Sequence, residues 1–239
     1  MGLTDPGQRT SADDHARRVR DMFARISPRY DLLNHLLSAN IDKRWRRRVV
    51  RKIQPLLAVN AQVLDVGCGT GDLSIELFEK TAARVVGLDF CRPMLELAKQ
   101  KSSQLPFIEG DGLRLPFADA TFDALTAGFV VRNLASVEDG LREFRRVLKP
   151  QGRLVILEFS QPSVLGVRQF VRFYYSRMLP AIGAWFSGSR KAYEYLPNSI
   201  SKFPNQETLA GMMRAVGFVE VEFENLSGGI AALHLGRRA

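Results

Sequence analysis

The stretch VLDVGCGTGDLS (residues 63–74) decides the fold, because three closely spaced glycines follow an apolar run and precede a helical pattern. The apolar run is typical of a buried strand, and a strand–turn–helix context makes a glycine loop informative. Gly67, Gly69 and Gly71 let the turn adopt positive φ and let a ligand approach the main chain. The first N–H groups of the helix then point at that ligand. The stretch predicts a ligand-binding turn, but its spacing is that of neither a dinucleotide fingerprint nor a phosphate loop.

Strand-like and helix-like segments alternate after Pro55, which is typical of a parallel, doubly wound sheet. The last two strand-like segments are joined by a short turn and are expected to pair antiparallel. We therefore predict an α/β, Rossmann-like, mostly parallel seven-stranded sheet with an antiparallel C-terminal strand. Residues 1–54 form an N-terminal helical segment and residues 55–239 the α/β domain, in which an aromatic, cationic stretch at about 162–204 forms a helical lid insertion.

Composition narrows the class of protein. Two cysteines in 239 residues are too few for a disulfide scaffold, and no leader-like or membrane-spanning apolar run is present. We expect a cytoplasmic protein. The net charge of +9 favours anionic partners, either nucleic acid or a lipid surface, and many of the cations lie in residues 42–52. No nucleic-acid module is recognisable, and the scattered histidines predict no metal site.

Acidic residues follow the next two predicted strands. Asp89 ends the second strand, about 20 residues after the glycines, where a carboxylate accepts hydrogen bonds from a ribose diol. Asp111 and Gly112 follow the third strand, where a carboxylate can bind an adenine amino group. The alternative is an ordinary Rossmann-like turn with solvated acids.

Together these residues resemble the class I S-adenosylmethionine-dependent methyltransferases, from residue 63 to about residue 159 and in the closing strands. The resemblance implies S-adenosyl-L-methionine as cofactor. In this sequence, the implied cofactor-binding positions are those of the glycine loop, the strand-end acids and the end of strand four: Gly67, Gly69, Thr70, Asp89, Asp111, Gly112 and Gly128. At Gly128, where the family often has a small polar residue, only a backbone contact remains.

The flanking segments are more specific. Residues 30–45, 146–160 and 190–204, with the segment NLSGGIAALHLG near the end, resemble the ubiquinone/menaquinone biosynthesis C-methyltransferase family. The sequence departs from the family pattern at Leu33, Asp42, Val130 and Gln151. These departures leave the reaction class standing and leave the quinone preference open.

The resemblance implies carbon methylation of a polyprenyl hydroquinone, from demethylmenaquinol to menaquinol. The alternatives are a benzoquinol of ubiquinone biosynthesis, RNA, protein or another small molecule on the same fold, or a cofactor-binding module without turnover. An aromatic carbon is a poor nucleophile until a neighbouring hydroxyl loses its proton. The site must therefore stabilise a phenolate and accept protons, and it needs no metal.

Arg132 and Asn133 are the predicted catalytic pair, because they follow strand four at the carboxyl edge of the sheet, where ligands bind. Arg132 would lower the pKa of the ring hydroxyl or polarise a water, and Asn133 would orient it. The alternative is that Arg132 pairs with a helix acid such as Glu138 or Asp139. Cys68 and Cys91 are expected near the cofactor, where a thiol nucleophile has no task.

Tyr30 and Asn34 in the N-terminal helices, and Tyr193 and Tyr195 before the last helix, are the predicted substrate-binding residues. The alternative is that these side chains only pack the helices. A polyprenyl tail implies peripheral contact with the inner face of the cell membrane, through the aromatic stretch of residues 167–186 and the basic residues 44–52. The alternative is a lid with a solvated face. A homodimer stays open.

Overall fold

The structure is a computed structural model. It describes residues 17–27, 30–31, 38, 40–162, 165–173 and 190–239. Its centre is one seven-stranded sheet in the order β3-β2-β1-β4-β5-β7-β6. Strands β1 to β5 pair in parallel, and β7 runs antiparallel to both β5 and β6. The predicted fold class is confirmed. The strands are β1 Gln62–Val66, β2 Arg84–Asp89, β3 Phe107–Glu109, β4 Phe122–Gly128, β5 Leu148–Phe159, β6 Phe218–Leu226 and β7 Ala231–Arg238.

Helices flank the sheet on both faces. They are α1 at residues 17–26, α2 Ile41–Ile53, α3 Asp72–Lys80, α4 Arg92–Lys101, α5 Val137–Val147, α6 Leu165–Phe173, α7 Arg190–Lys202 and α8 Gln206–Ala215. Side chains of α2, α3 and α4, such as Ile53, Leu77 and Leu95, are buried in one apolar cluster. Those of α5 and α8, such as Phe144 and Met213, are buried in a second cluster. Because one cluster lies on each face, the sheet is covered on both sides, as a parallel sheet requires.

Helix ends follow from the local sequence. Ser136 accepts a hydrogen bond from the N–H of Asp139 at the start of α5, and Asn205 accepts one from Thr208 at the start of α8. Gly217 follows α8 with φ +96°, a conformation that favours glycine. These caps fix where α5 and α8 begin and where α8 ends, and so orient both helices against the sheet.

Two strands have irregular starts. Strand β5 begins at Leu148, because Leu148 pairs with Phe122 before a register shift. Gln151 takes φ +67° within this irregular start. Strand β7 begins at Ala231, because Gly228 and Gly229 have positive φ and belong to the turn. Within the described residues, no helix has the length and apolar character needed to cross a membrane.

Candidate active site

The glycine loop joins β1 to α3 at the carboxyl edge of the sheet. The N–H groups of Gly67 and Cys68 both donate to the carbonyl of Leu88, at 2.7 and 3.0 Å, which ties the loop to the end of β2. Gly71 donates to the carbonyl of Cys68 at 2.9 Å and closes the turn. Helix α3 starts at Asp72, so its first N–H groups lie at this edge.

The three glycines are glycine for different reasons. A Cβ on Gly67 would lie 2.2 Å from a methyl carbon of Val130, and one on Gly71 would lie 3.0 Å from the ring of Phe107. Protein atoms therefore exclude a side chain at both positions. A Cβ on Gly69, which has φ +55°, would have its nearest neighbour 3.9 Å away, on the ring of Tyr30. Gly69 is the loop glycine beside which the neighbouring protein atoms leave room for a ligand.

Two buried carboxylates support this loop. Asp89 accepts hydrogen bonds from the N–H groups of Gly69 and Cys91, both at 2.8 Å. Asp65 accepts from the hydroxyls of Ser74, at 2.6 Å, and Thr126, at 2.7 Å. Burial raises the pKa of each carboxyl to about 6, against the opposing effect of these hydrogen bonds. Asp89 fixes the loop, Asp65 ties β1 to α3 and β4, and at neutral pH both place negative charge beside the loop.

A cleft opens above the loop. Its lining includes main chain, carboxylates, one guanidinium and aromatic rings: Tyr30, Arg46, Asp65, Gly67, Cys68, Gly69, Thr70, Asp72, Leu73, Gly128, Phe129 and Leu157. Asp65 and Asp72 suit a cationic ligand, and Arg46 suits a carboxylate. The methionyl part of S-adenosylmethionine carries an ammonium, a sulfonium and a carboxylate. The residues present therefore fit this group.

The predicted adenine and ribose positions lie at the neighbouring strand ends. Asp111 is exposed, and its carboxylate accepts from the N–H of Leu113 at 2.9 Å. Gly112 is buried, and a Cβ there would approach Leu134 at 3.2 Å. Neither residue lines the cleft, and neither does Asp89. Their contacts with the donor stay predictions.

The turn after β4 is built around Phe129. Phe129 has φ +58°, which is rare for an aromatic residue, and its N–H donates to the carbonyl of Leu157 at 2.7 Å. Its carbonyl accepts from Nη1 of Arg132, at 2.5 Å, and from Nδ2 of Asn133, at 3.3 Å. Arg132 and Asn133, the predicted catalytic pair, therefore hold the strained turn at Phe129, and Phe129 lines the cleft.

Arg132 forms a buried ion pair with Glu158. Nη1 lies 2.6 Å from Oε1 of Glu158, and the two side chains are 7% and 1% exposed. The expected alternative partners of Arg132 are otherwise engaged, because Glu138 and Asp139 pair with Arg142. Nε of Arg132 is buried without a hydrogen-bond partner. An N–H in that position suits an oxygen of a bound ligand.

Asn133 links this turn to α7. The hydroxyl of Tyr195, in α7, donates to Oδ1 of Asn133 at 2.9 Å. Burial raises the pKa of Tyr195, although the charge of Arg132 lowers it, and the phenol therefore stays protonated as a donor. Tyr195 and Asn133 are therefore in contact, and their substrate-binding and catalytic roles stay predictions.

An aromatic cluster lies under the cleft. The rings of Phe129 and Phe159 have centroids 4.6 Å apart, and Trp45 lies 5.9 Å from the first and 6.1 Å from the second. The guanidinium of Arg132 lies 5.2 Å from the centroid of Phe159. The rings are inclined to one another, and the cluster places apolar aromatic edges and faces beside a buried cation, which suits an aromatic ring that bears oxygens.

The two cysteines, Cys68 and Cys91, are free and buried. Burial raises the pKa of the Cys68 thiol well above its usual range and also raises the pKa of Cys91. Both thiols stay protonated at neutral pH, which agrees with the expectation that they have no nucleophilic task. No group of three potential metal ligands occurs among the described residues.

Of the other predicted substrate-binding residues, one lines the cleft and two cannot be placed. Tyr30 lines the cleft, and its ring makes an edge contact with Phe23 at 6.0 Å between centroids. Asn34 lies outside the described residues, and so does the side chain of Tyr193.

Sequence reasoning missed four residues at this site. Arg46, Phe129, Phe159 and Lys101 were not singled out, although Arg46 lies four residues after Asp42 in the basic helix and pairs with it at 2.8 Å. That spacing was a usable signal. The positive φ of Phe129 and the contacts of Lys101 depend on tertiary structure, and no local pattern indicates them.

Comparisons with known proteins agree with this geometry. A model described as the ubiE/COQ5 methyltransferase family matches residues 10–238. The chain is similar to the demethylmenaquinone methyltransferase of Deinococcus radiodurans, with 46% identity over 93% of each chain. It is also similar to the ubiquinone/menaquinone biosynthesis C-methyltransferase UbiE of Geotalea uraniireducens, with 40% identity over 94% of this chain and 98% of that one.

A solved structure shares the fold. A SAM-dependent methyltransferase of Thermotoga maritima, described as a possible histamine N-methyltransferase, superposes with a TM-score of 0.66 and 18% identity. The match covers 92% of this chain and 99% of that one. At this identity the likeness supports the fold alone.

Proposed function

The chain belongs to the ubiE/COQ5 methyltransferase family, and we propose that it methylates a ring carbon of demethylmenaquinol, a reduced polyprenyl quinone precursor. It is an S-adenosylmethionine-dependent C-methyltransferase of quinone biosynthesis. A benzoquinol of ubiquinone biosynthesis is the second candidate acceptor, because one of its relatives is named for both pathways.

The donor is held by the glycine loop in this proposal. The main chain at Gly69 and Thr70 contacts it, the carboxylates of Asp65 and Asp72 face its cationic groups, and Arg46 binds its carboxylate. Asp89, Asp111 and Gly112 contact the ribose and adenine, and Gly128 contributes its backbone. The donor supplies an electrophilic methyl group that a nucleophilic carbon attacks in line.

Arg132 activates the acceptor. Its unpartnered Nε donates to a ring oxygen and lowers the pKa of that hydroxyl, because a buried cation favours the phenolate. With the hydroxyl proton passed to water, the adjacent ring carbon would gain electron density and form a bond to the donor methyl as the methyl–sulfur bond breaks and S-adenosylhomocysteine leaves. That carbon loses its own proton to restore the aromatic ring.

Glu158 makes this role of Arg132 structurally possible. It accepts from Nη1 and from the N–H of Arg132, at 2.6 and 3.2 Å, and thereby aims the opposite edge of the guanidinium. Asn133 orients the acceptor or a water, and Tyr195 fixes the amide of Asn133. The hydroxyl of Ser160, at the end of β5, is a second buried donor without a partner and suits the other ring oxygen. Tyr30, Asn34 and Tyr193 complete the substrate contacts.

The observation that carries the proposal is the orphaned, buried Nε of Arg132, whose guanidinium holds the carbonyl of Phe129, a residue that lines the cleft. The test incubates the purified protein with methyl-labelled donor and either demethylmenaquinol or the corresponding demethylated benzoquinol. We expect label in the ring of the naphthoquinol. Label only in the benzoquinol would transfer the proposal to ubiquinone biosynthesis, and label in neither would reject quinone methylation.

Peripheral membrane contact belongs to the same proposal, because the acceptor carries a polyprenyl tail. Arg44, Arg47 and Arg51 are exposed on one side of α2. Among the described residues, none of the three forms an ion pair, whereas Arg48 pairs with Glu224 at 2.8 Å. A stripe of unpaired arginines attracts anionic headgroups.

A vesicle assay tests this contact. We expect the protein to sediment with vesicles of equal parts phosphatidylcholine and phosphatidylglycerol, and a triple glutamine variant at positions 44, 47 and 51 to stay in solution. A control triple variant replaces the exposed Arg92, Lys99 and Arg114. Equal loss of vesicle binding in both variants would show that net charge alone causes the binding. Unchanged binding of the glutamine variant would show that α2 does not contact the membrane. A homodimer stays a prediction, which ultracentrifugation of the same samples checks.

A further inference from the structure

Five charged side chains of alternating sign connect the N-terminal segment to the glycine loop. Lys101, the last residue of α4, lies 2.6 Å from Oδ2 of Asp31 and 2.7 Å from Oδ1 of Asp72. Asp72 also lies 3.1 Å from Arg46, which in turn pairs with Asp42. We call Asp31, Lys101, Asp72, Arg46 and Asp42 the charge chain. Lys101 is the link in it between residues 30–31 and the body of the domain.

The charge chain lies directly beside the cleft. Thr70 of the glycine loop donates to Oδ1 of Asp31 at 2.5 Å and accepts from Nζ of Lys101 at 3.0 Å. Tyr30, next to Asp31, lies over Gly69, and its ring is the nearest neighbour that a Cβ on Gly69 would have. Anything bound along the main chain of Gly69 is therefore covered by a segment that Asp31 and Lys101 hold down.

We propose that Lys101 is a positioning residue that holds residues 30–31 over the glycine loop and thereby limits the rate at which the methyl donor and its product leave. The inference rests on the proposed function, because it names the donor as the occupant of the cleft. Lys101 acts through Asp31 and Thr70 and does not touch the reacting atoms.

The electrostatics of Lys101 suit a contact that opens and closes. Its side chain is 29% exposed, and those of Asp31 and Asp72 are 33% and 28% exposed. Pairs at this exposure are weakened by salt and contribute little to the stability of a fold. A segment held in this way can release during each catalytic cycle without unfolding the sheet beneath it.

The test measures dissociation of S-adenosylhomocysteine from the immobilised full chain by surface plasmon resonance. We expect Lys101→Met to release it about fivefold faster than wild type, with KM for the donor raised and kcat not reduced. Lys101→Arg should restore the slow rate. Lys99→Met is the matched control, since Lys99 is an exposed lysine on the same helix, and it should release at the wild-type rate.

Salt and a second variant separate this role from simple loss of structure. Wild-type release should accelerate between low and high salt, whereas release from Lys101→Met should change little. Asp31→Asn should release as fast as Lys101→Met, and the double variant no faster than either, because both break the same contact. If either single variant unfolds at a lower temperature than wild type, the release rate of the double variant is compared with that of wild type instead.

Two results would overturn the inference. Release from Lys101→Met within twofold of wild type, or equal acceleration by Lys99→Met, would show that Lys101 does not hold the segment. Failure of wild type to bind S-adenosylhomocysteine at all would instead reject the proposed function.

Discussion

The two halves of the site are built by different kinds of contact. In the donor half, at the turn after β1, main-chain N–H groups of Gly67, Cys68 and Gly69 bind a carbonyl of β2 and the carboxylate of Asp89. In the proposed acceptor half, at the turn after β4, side chains of Arg132 and Asn133 bind Glu158 and Tyr195, which come from β5 and α7.

The difference explains what each half can do. A loop held by its own main chain needs only glycines and an acid, so it presents a fixed surface to a cofactor. A turn held by a buried ion pair and a strained Phe129 depends on partners that are far along the chain. The acceptor half can therefore be tuned to one acceptor while the donor half stays the same.

The largest expected effect comes from Arg132→Ala. Turnover with demethylmenaquinol should fall about 1,000-fold, because the phenolate loses its buried cation, while donor affinity stays within a few-fold of wild type. Leaving the buried carboxylate of Glu158 unpaired should also cost about 3 kcal/mol of unfolding free energy. Initial-rate kinetics, donor calorimetry and urea unfolding measure the three quantities.

The control for Arg132 removes both charges. The double variant Arg132→Met with Glu158→Gln should recover most of the lost unfolding free energy but none of the turnover. Recovery of turnover in the double variant would contradict a direct role of the guanidinium in the reaction.

Two glycine variants separate fold from binding within the donor half. Gly67→Ala should lower the unfolding free energy by about 3 kcal/mol, because its Cβ meets Val130 and the residue keeps positive φ. Gly69→Ala should cost about 1 kcal/mol, since its Cβ meets no atom closer than 3.9 Å, but should weaken donor binding about tenfold. Adding Val130→Gly should rescue stability at position 67 alone. Equal effects of both alanines on stability would refute this assignment.

Asp65→Asn tests the buried carboxylate through pH. The pKa of Asp65 is about 6 in the folded protein, above the ordinary value of 3.8. The folded state therefore binds the proton more tightly, and the stability that Asp65 contributes is present below about pH 4 and is lost as the pH rises through 6. The Asp65→Asn variant has no such loss. Its unfolding free energy, relative to that of wild type, should therefore be about 2 to 3 kcal/mol higher at pH 7 than at pH 4. A pH-independent difference in urea unfolding would contradict the burial argument.

The smallest expected effect is that of Tyr195→Phe. Loss of the hydroxyl removes one hydrogen bond to Asn133 and should lower kcat about fivefold with little change in donor affinity. Steady-state kinetics with each substrate varied in turn measure both. A change in donor affinity with unchanged kcat would place Tyr195 in the donor half instead.

The donor half was predictable from the sequence because its parts are local and periodic. Residues 63–74 indicated the strand, the turn and the start of the helix, which is α3 in the structure. What the sequence could not indicate was why each glycine is needed, since Val130 and Phe107 reach the loop only in the folded protein.

The acceptor half was predictable only in part. The position of Arg132 and Asn133 at the end of β4 followed from the sheet topology. Their partners did not, because the pairing of Arg132 with Glu158 rather than with Glu138 depends on the parallel register of β4 and β5. The left-handed turn at Phe129 is imposed by these tertiary contacts, and no sequence propensity predicts it.

The central claim is that donor binding and acceptor activation reside in separable halves of one cleft. The most direct measurement compares Asp89→Ala with Arg132→Ala, by calorimetry for the donor and by transfer of labelled methyl to demethylmenaquinol. We expect Asp89→Ala to bind the donor at least about tenfold more weakly, because it loses the acceptor of the Gly69 N–H, and Arg132→Ala to bind it normally without transferring label. Normal donor binding by Asp89→Ala, or rapid labelling of the quinol by Arg132→Ala, would contradict it.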